Sequence, residues 1–127
     1  MNRCNLCPPI TIEELSRIAY ENAKSQGFHA NDPTHNDFTK KEWVDRIAVF
    51  LTNLHGEISE LWEATRKGML NNPCDKGVNL SNLEEELADI IIRTCDTAKT
   101  LGVNLDYAVQ RKHEYNRTRE FMHGKKA

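Results

Sequence analysis

The chain has 127 residues, 17 of them Lys or Arg and 19 Asp or Glu, for a net charge of −2 at pH 7. That length suits one domain with a modest core, and that charge balance excludes the basic footprint of a nucleic-acid polymer binder. No apolar run could span a bilayer, and the opening MNRCNLCPP lacks the apolar stretch of a signal peptide; the expected address is the cytoplasm, with no membrane partner.

Residues 1–10 read as a loose tail carrying Cys4-x2-Cys7. The pair has no second CxxC and no His pair at zinc spacing. A zinc site would need Cys74 and a histidine as well, so the simpler reading is reduced thiols, with Cys95 inside a helix. Thr11-Ile-Glu-Glu14 has capping-box spacing and predicts a helix over 12–26, stopped by Gly27. Residues 28–38, FHANDPTHNDF, read as a loop. Thr39-Lys-Lys-Glu42 repeats the capping-box spacing and predicts a second helix over 40–67, stopped by Gly68. At 1.5 Å per residue that helix would run about 42 Å, and Gly56 is where a bend or break is expected. Its apolar stripe is Trp43, Ile47, Phe50, Leu54, Ile58 and Leu61, and Glu57 falls on the same stripe.

Residues 69–80, MLNNPCDKGVNL, are a second loop. Ser81-Asn-Leu-Glu84 opens a helix over 82–101, stopped by Gly102, with Leu83, Leu87, Ile90, Ile91, Thr94, Ala98 and Leu101 facing inward. Asn104 can cap a fourth helix over 105–121, and 122–127 read as a second tail. No strand pattern, internal repeat or low-complexity tract is present. The fold class expected is all-α: a single domain over 1–127 built as a four-helix bundle-like protomer.

Two acidic pairs interrupt this pattern. Helix 2 carries Glu57-Ile-Ser-Glu60 and helix 3 carries Glu86-Leu-Ala-Asp89. The i, i+3 spacing puts both carboxylates of a pair on one helical face. Asp89 stands inside LADIII, where a solvated side is hard to find. Acidic pairs also occur on solvated helix faces, and Glu84, Glu85 and Glu63 fit that plainer role. Four carboxylates on consecutive apolar stripes do not. Buried ionised carboxylates are costly unless paired or bound to a metal, and four together repel. A divalent cation resolves both. Oxygen ligands without Cys or His favour Mg²⁺, with Mn²⁺ as a substitute. Because Mg²⁺ keeps waters and shares its shell with phosphates, the cluster points to phosphate chemistry.

Helix 4 adds cations. The stripe beginning Leu105, Ala108, Val109 continues at helical spacing into Lys112, Asn116 and Arg119. Lys gives a point charge, Arg a fork and Asn an amide, all suited to phosphate or sugar oxygens. Arg66 and Lys67 fit a simpler role against the negative end of helix 2.

GEISELWEATRKG, then EEELADIII, then KHEYNRTREFMHGKK together resemble the MazG-like nucleotide pyrophosphohydrolases of the all-α NTP pyrophosphatase superfamily, over roughly residues 40–125. The core of the likeness is the ExxE…ExxD pattern of Glu57, Glu60, Glu86 and Asp89. The resemblance implies a helical bundle completed by a partner subunit, as a homodimer or homotetramer. It implies Mg²⁺-dependent hydrolysis of a nucleoside triphosphate to the monophosphate and pyrophosphate, with housecleaning of the nucleotide pool as the role it suggests. In that scheme the four carboxylates are metal ligands and catalytic groups, and Lys112, Asn116 and Arg119 bind substrate. The family often reads EExxE; here Gly56, after His55, stands where the extra acid would be.

Two other readings compete. A di-iron bundle would want two Glu-x-x-His motifs, and the chain has one, Glu120-Phe-Met-His123. A non-catalytic helical interaction module would need neither metal nor nucleotide. For a nucleobase, Trp43, Phe50, Trp62 and Tyr115 are the flat apolar candidates.

Overall fold

The computed structural model describes residues 8–121. Four helices follow in order: α1 (Ile12–Ser25), α2 (Lys41–Arg66), α3 (Asn82–Thr100) and α4 (Leu105–Arg117). Among the described residues no strand forms, only an isolated bridge between Pro73 and Ser81, and no helix is long and apolar enough to cross a membrane. The fold is all-α. Cys4, Cys7 and His123, with the zinc and di-iron readings that need them, lie outside the described residues, as does most of the two expected tails.

Local chemistry sets most helix ends. Ser81 and Glu84 form a complete capping box: Ser81 Oγ accepts from Glu84 N and Glu84 Oε1 accepts from Ser81 N. Thr11 Oγ1 accepts from Glu14 N, and Asn104 Oδ1 from Tyr107 N. Thr39 departs from expectation. Its hydroxyl donates to Asp37 Oδ1 at 2.6 Å, so it is spent in the preceding turn. The helix starts one residue later on Lys40, which makes no side-chain cap. At the far ends, Gly68 and Gly102 both sit at φ +69°, a conformation that favours glycine.

Two further expectations change. α2 runs unbroken through Gly56; a glycine costs a helix interior only about 1 kcal/mol, too little to interrupt 26 residues packed along a neighbour. α4 ends at Arg117 rather than 121, so Arg119 lies beyond it.

α3 is the central element, packing against both α1 and α2, while α4 rests on α1. Small buried side chains, Ser16 and Ala19 on α1 and Cys95 and Ala98 on α3, let those two backbones come close. Trp43 is buried at the start of α2, its indole N–H donating to His35 O at 2.6 Å. The expected inward stripes are only partly inward: Ile58, Leu87 and Ile91 are exposed, as is Trp62 at 62 %.

Candidate metal centre

α2 and α3 lie antiparallel, since Glu60 on α2 meets Glu86 near the start of α3 while Glu57 meets Arg93 further along it. Glu57, Glu60 and Glu86 each offer a carboxylate oxygen, and the three oxygens lie within 4.8 Å of one another. Glu57 is buried, Glu86 half-buried and Glu60 exposed, so the cluster opens to solvent along one edge. Asp89 is not part of this tight group.

The electrostatics follow from the crowding. Burial pushes the Glu86 carboxyl up to about 7, and the charge of Glu60, a hydrogen bond shared with Glu57 and the charges of Glu57 and Glu85 add to it. Glu86 Oε2 is buried and has no hydrogen-bond partner. Asp89 is also raised, first by burial and then by the charges of Glu57 and Glu85, with Arg93 and Lys76 acting the other way. The neighbouring acids are spoken for: Glu85 pairs with Lys76 at 2.8 Å, Glu84 closes the capping box, and Glu63 pairs with Arg66 at 2.9 Å and Lys67 at 3.3 Å. Arg66 and Lys67 are thereby paired with an acid of their own helix turn.

Arg93, and with it His29, Arg46 and Asp96, were not visible as site elements in the sequence. Arg93 Nε donates to Glu57 Oε1 at 2.5 Å. Arg93 also lines a cavity of about 280 Å³ among α1, α2 and α3, with Phe50, Asp89 and Asp96 in its wall. His29 and Arg46 line it too, within a chain of contacts that runs Arg46–Asp32–His29–Asp96. The signals were faint: Asp89, Arg93 and Asp96 recur at helical spacing, which puts them on one face of α3.

No protein-family model, curated protein or solved structure matches the chain. The chemistry of the site therefore has to be read from its own residues.

The helix 4 candidates gather elsewhere. Lys112 Nζ lies 4.6 Å and Arg119 Cζ 5.6 Å from the centre of the Tyr115 ring. Asn116 Oδ1 is buried and unpartnered. Among the described residues no hydrogen bond or ion pair joins these three to the carboxylates of α2 and α3. Of the flat apolar candidates, Phe50 lines the cavity, while Trp43 is core, packed edge-on to Phe38 at 5.0 Å.

Carboxylate oxygens from two helices, gathered within 4.8 Å of one another, are the donor set a hard divalent cation takes. The residues present fit such an ion.

Proposed function

We propose that the protein is a Mg²⁺-dependent nucleoside triphosphate pyrophosphohydrolase, converting an NTP or dNTP and water to the monophosphate and pyrophosphate. The observation that carries this reading is the Glu57–Glu60–Glu86 cluster with its orphaned oxygen on Glu86. A buried acceptor without a partner calls for an explanation, and a cation supplies one.

Glu57, Glu60 and Glu86 would hold the ion, with Asp89 one turn along α3 completing the acidic set. Mn²⁺ can substitute, since both ions take oxygen ligands. Such an ion, when bound, would supply charge neutralisation on the triphosphate and a water of lowered pKa for attack at the α-phosphorus. One of the carboxylates takes the proton of that water. Lys112, Asn116 and Arg119 gather around Tyr115 away from these carboxylates, so their proposed part, Lys112 and Arg119 on phosphate oxygens and Asn116 on phosphate or sugar, requires the assembly to bring α4 of one subunit to the cluster of another. The cavity beside Asp89 and Arg93 takes the nucleoside end. Its volume of about 280 Å³ is near the lower bound for small-ligand pockets, and Phe50 gives it one aromatic wall.

The assembly we propose is a homodimer or homotetramer in the cytoplasm. Both carboxylate-bearing helices expose apolar side chains, Leu51, Ile58 and Trp62 on α2 and Leu87 and Ile91 on α3, and such surface is normally covered. The all-α fold is what the MazG-like resemblance implies; the reaction, the assembly and housecleaning of the nucleotide pool are what that resemblance suggests.

The test is incubation with a panel of nucleoside and deoxynucleoside triphosphates plus Mg²⁺, reading pyrophosphate and orthophosphate separately. Pyrophosphate should be the first product. Orthophosphate released first would overturn attack at the α-phosphorus. No turnover with either Mg²⁺ or Mn²⁺ would leave the non-catalytic interaction module, for which the exposed apolar side chains also speak.

A further inference from the structure

The cation touching the acidic cluster is one of the protein's own. Among the described residues, Arg93 is the only Lys or Arg paired with Glu57, Glu60 or Glu86. It makes that pair through Nε alone, at 2.5 Å from Glu57 Oε1. The arginine side chain is 46 % exposed, whereas that of Glu57 is 10 % exposed. Arg93 also borders the cavity it shares with Asp89 and Asp96.

We propose that Arg93 is a displaceable counter-ion. It holds Glu57 while the cluster lacks a divalent cation, opposes the entry of that cation, and gives up Glu57 when the cation binds. The proposal rests on the metal reading above.

Two physical roles are open to a guanidinium on a ligand oxygen, and they differ in sign. A group that only orients a ligand strengthens a metal site, and its loss weakens binding about 10- to 100-fold. A like charge a few ångströms from the ion repels it, and at that range salt screens little. Three features favour the second role for Arg93. It adds a full positive charge beside the ion rather than a neutral donor. It grips Glu57 with one bond, not the two-pronged fork that makes Arg–carboxylate pairs durable. Being half exposed, its head can withdraw to water at little desolvation cost, or turn into the cavity, where Asp96 offers a carboxylate in place of Glu57. Arg93 is thus a positioning residue: it keeps Glu57 oriented and neutralised until the metal replaces it.

The experiment is calorimetric titration of the full chain with MnCl₂ for wild type, R93Q, R93M and R93K. R93Q and R93M should bind Mn²⁺ about tenfold more tightly, because the repelling charge is gone. R93K, which restores the charge, should return affinity to within about threefold of wild type. In EDTA both neutral variants should melt below wild type, which confirms that Arg93 serves Glu57 in the metal-free state. R93M keeps the aliphatic stem and must move the affinity in the same direction as R93Q. Equal or weaker Mn²⁺ binding by both neutral variants overturns the counter-ion while leaving the metal site standing. No Mn²⁺ binding by wild type or variants overturns the metal reading and the counter-ion with it.

Discussion

His29 Nε2 lies 2.8 Å from Asp96 Oδ1, joining residues 67 positions apart and tying the α1–α2 connection to α3. The other ring nitrogen, Nδ1, lies 2.6 Å from Asp32 Oδ2, and Asp32 Oδ1 accepts from Arg46 Nε at 2.6 Å. The imidazole is almost fully buried, against Tyr20 and Phe50 at centroid distances of 4.8 and 6.0 Å. Replacing it leaves two largely buried aspartates short of a partner. His29→Ala should therefore cost about 3 kcal/mol of unfolding free energy. Asp96→Asn keeps the shape and an acceptor, and should cost about 1 kcal/mol. Urea melts of both variants measure these differences. A His29→Ala protein as stable as wild type would mean that the buried chain contributes nothing.

Glu86 makes the metal-free protein sensitive to pH. Its folded carboxyl sits at about 7 against an ordinary value of 4.5. Between those values the folded state holds more protons than the unfolded one, so stability falls as pH rises from about 4.5 to 7 and levels off above. In EDTA, the thermal midpoint of wild type relative to Glu86→Gln should drop across that window. Mg²⁺ needs the ionised carboxylate, so the midpoint gained from saturating Mg²⁺ should be larger at pH 8 than at pH 5.5. Parallel melting curves for wild type and Glu86→Gln at every pH would remove Glu86 from this account.

How much of this could be read in the sequence depends on the range of each interaction. The caps at Thr11, Ser81 and Asn104 are local, three residues from donor to acceptor, and were legible. Thr39 was equally local but misleading, because Asp37 two residues earlier takes its hydroxyl. Buried Cys95 agrees with its helical setting. Glu57, Glu60 and Glu86 stood out because carboxylates interrupting an apolar period are anomalous. Arg93 and His29 did not, since a single arginine or histidine is ordinary until a partner 36 or 67 residues away is known. The inward side of α3 was over-read at Leu87 and Ile91. Periodicity identifies an apolar face but not what covers it, and α4 rests on α1, leaving that face of α3 open.

Gly56 offers a test that leaves the carboxylates alone. It lies inside an unbroken helix, its φ is not in the left-handed region, and a Cβ built there meets nothing within 4 Å. Gly56→Ala should stabilise the protein by about 0.5–1 kcal/mol through lost freedom in the unfolded chain. That corresponds to a rise of roughly 3 °C in thermal midpoint. Manganese affinity should stay at the wild-type value. A fall in midpoint would show that the glycine is required by something that covers this part of α2, and a subunit contact would be the first candidate.

Asp89 separates the metal account from an ordinary ion-pair account. It stands one turn from Glu86, outside the tight group of three oxygens, with its carboxyl raised by burial and by the charges of Glu57 and Glu85. Among the described residues no hydrogen bond or ion pair holds it. Asp89→Asn should leave the metal-free protein as stable as wild type or more so, because one of several mutually repelling charges is gone. It should lower pyrophosphate release by about 100-fold or more, because an amide is a poorer ligand and leaves the ion misplaced. A ligand bound only by the native state stabilises it by mass action, so Mg²⁺ should raise the midpoint of wild type well above that of the variant. Were Asp89 a structural ion-pair partner, the substitution would destabilise the EDTA form and Mg²⁺ would change neither protein. Melts of both, with EDTA and with Mg²⁺, decide between these accounts, and a wild-type midpoint indifferent to saturating Mg²⁺ would count against the site itself.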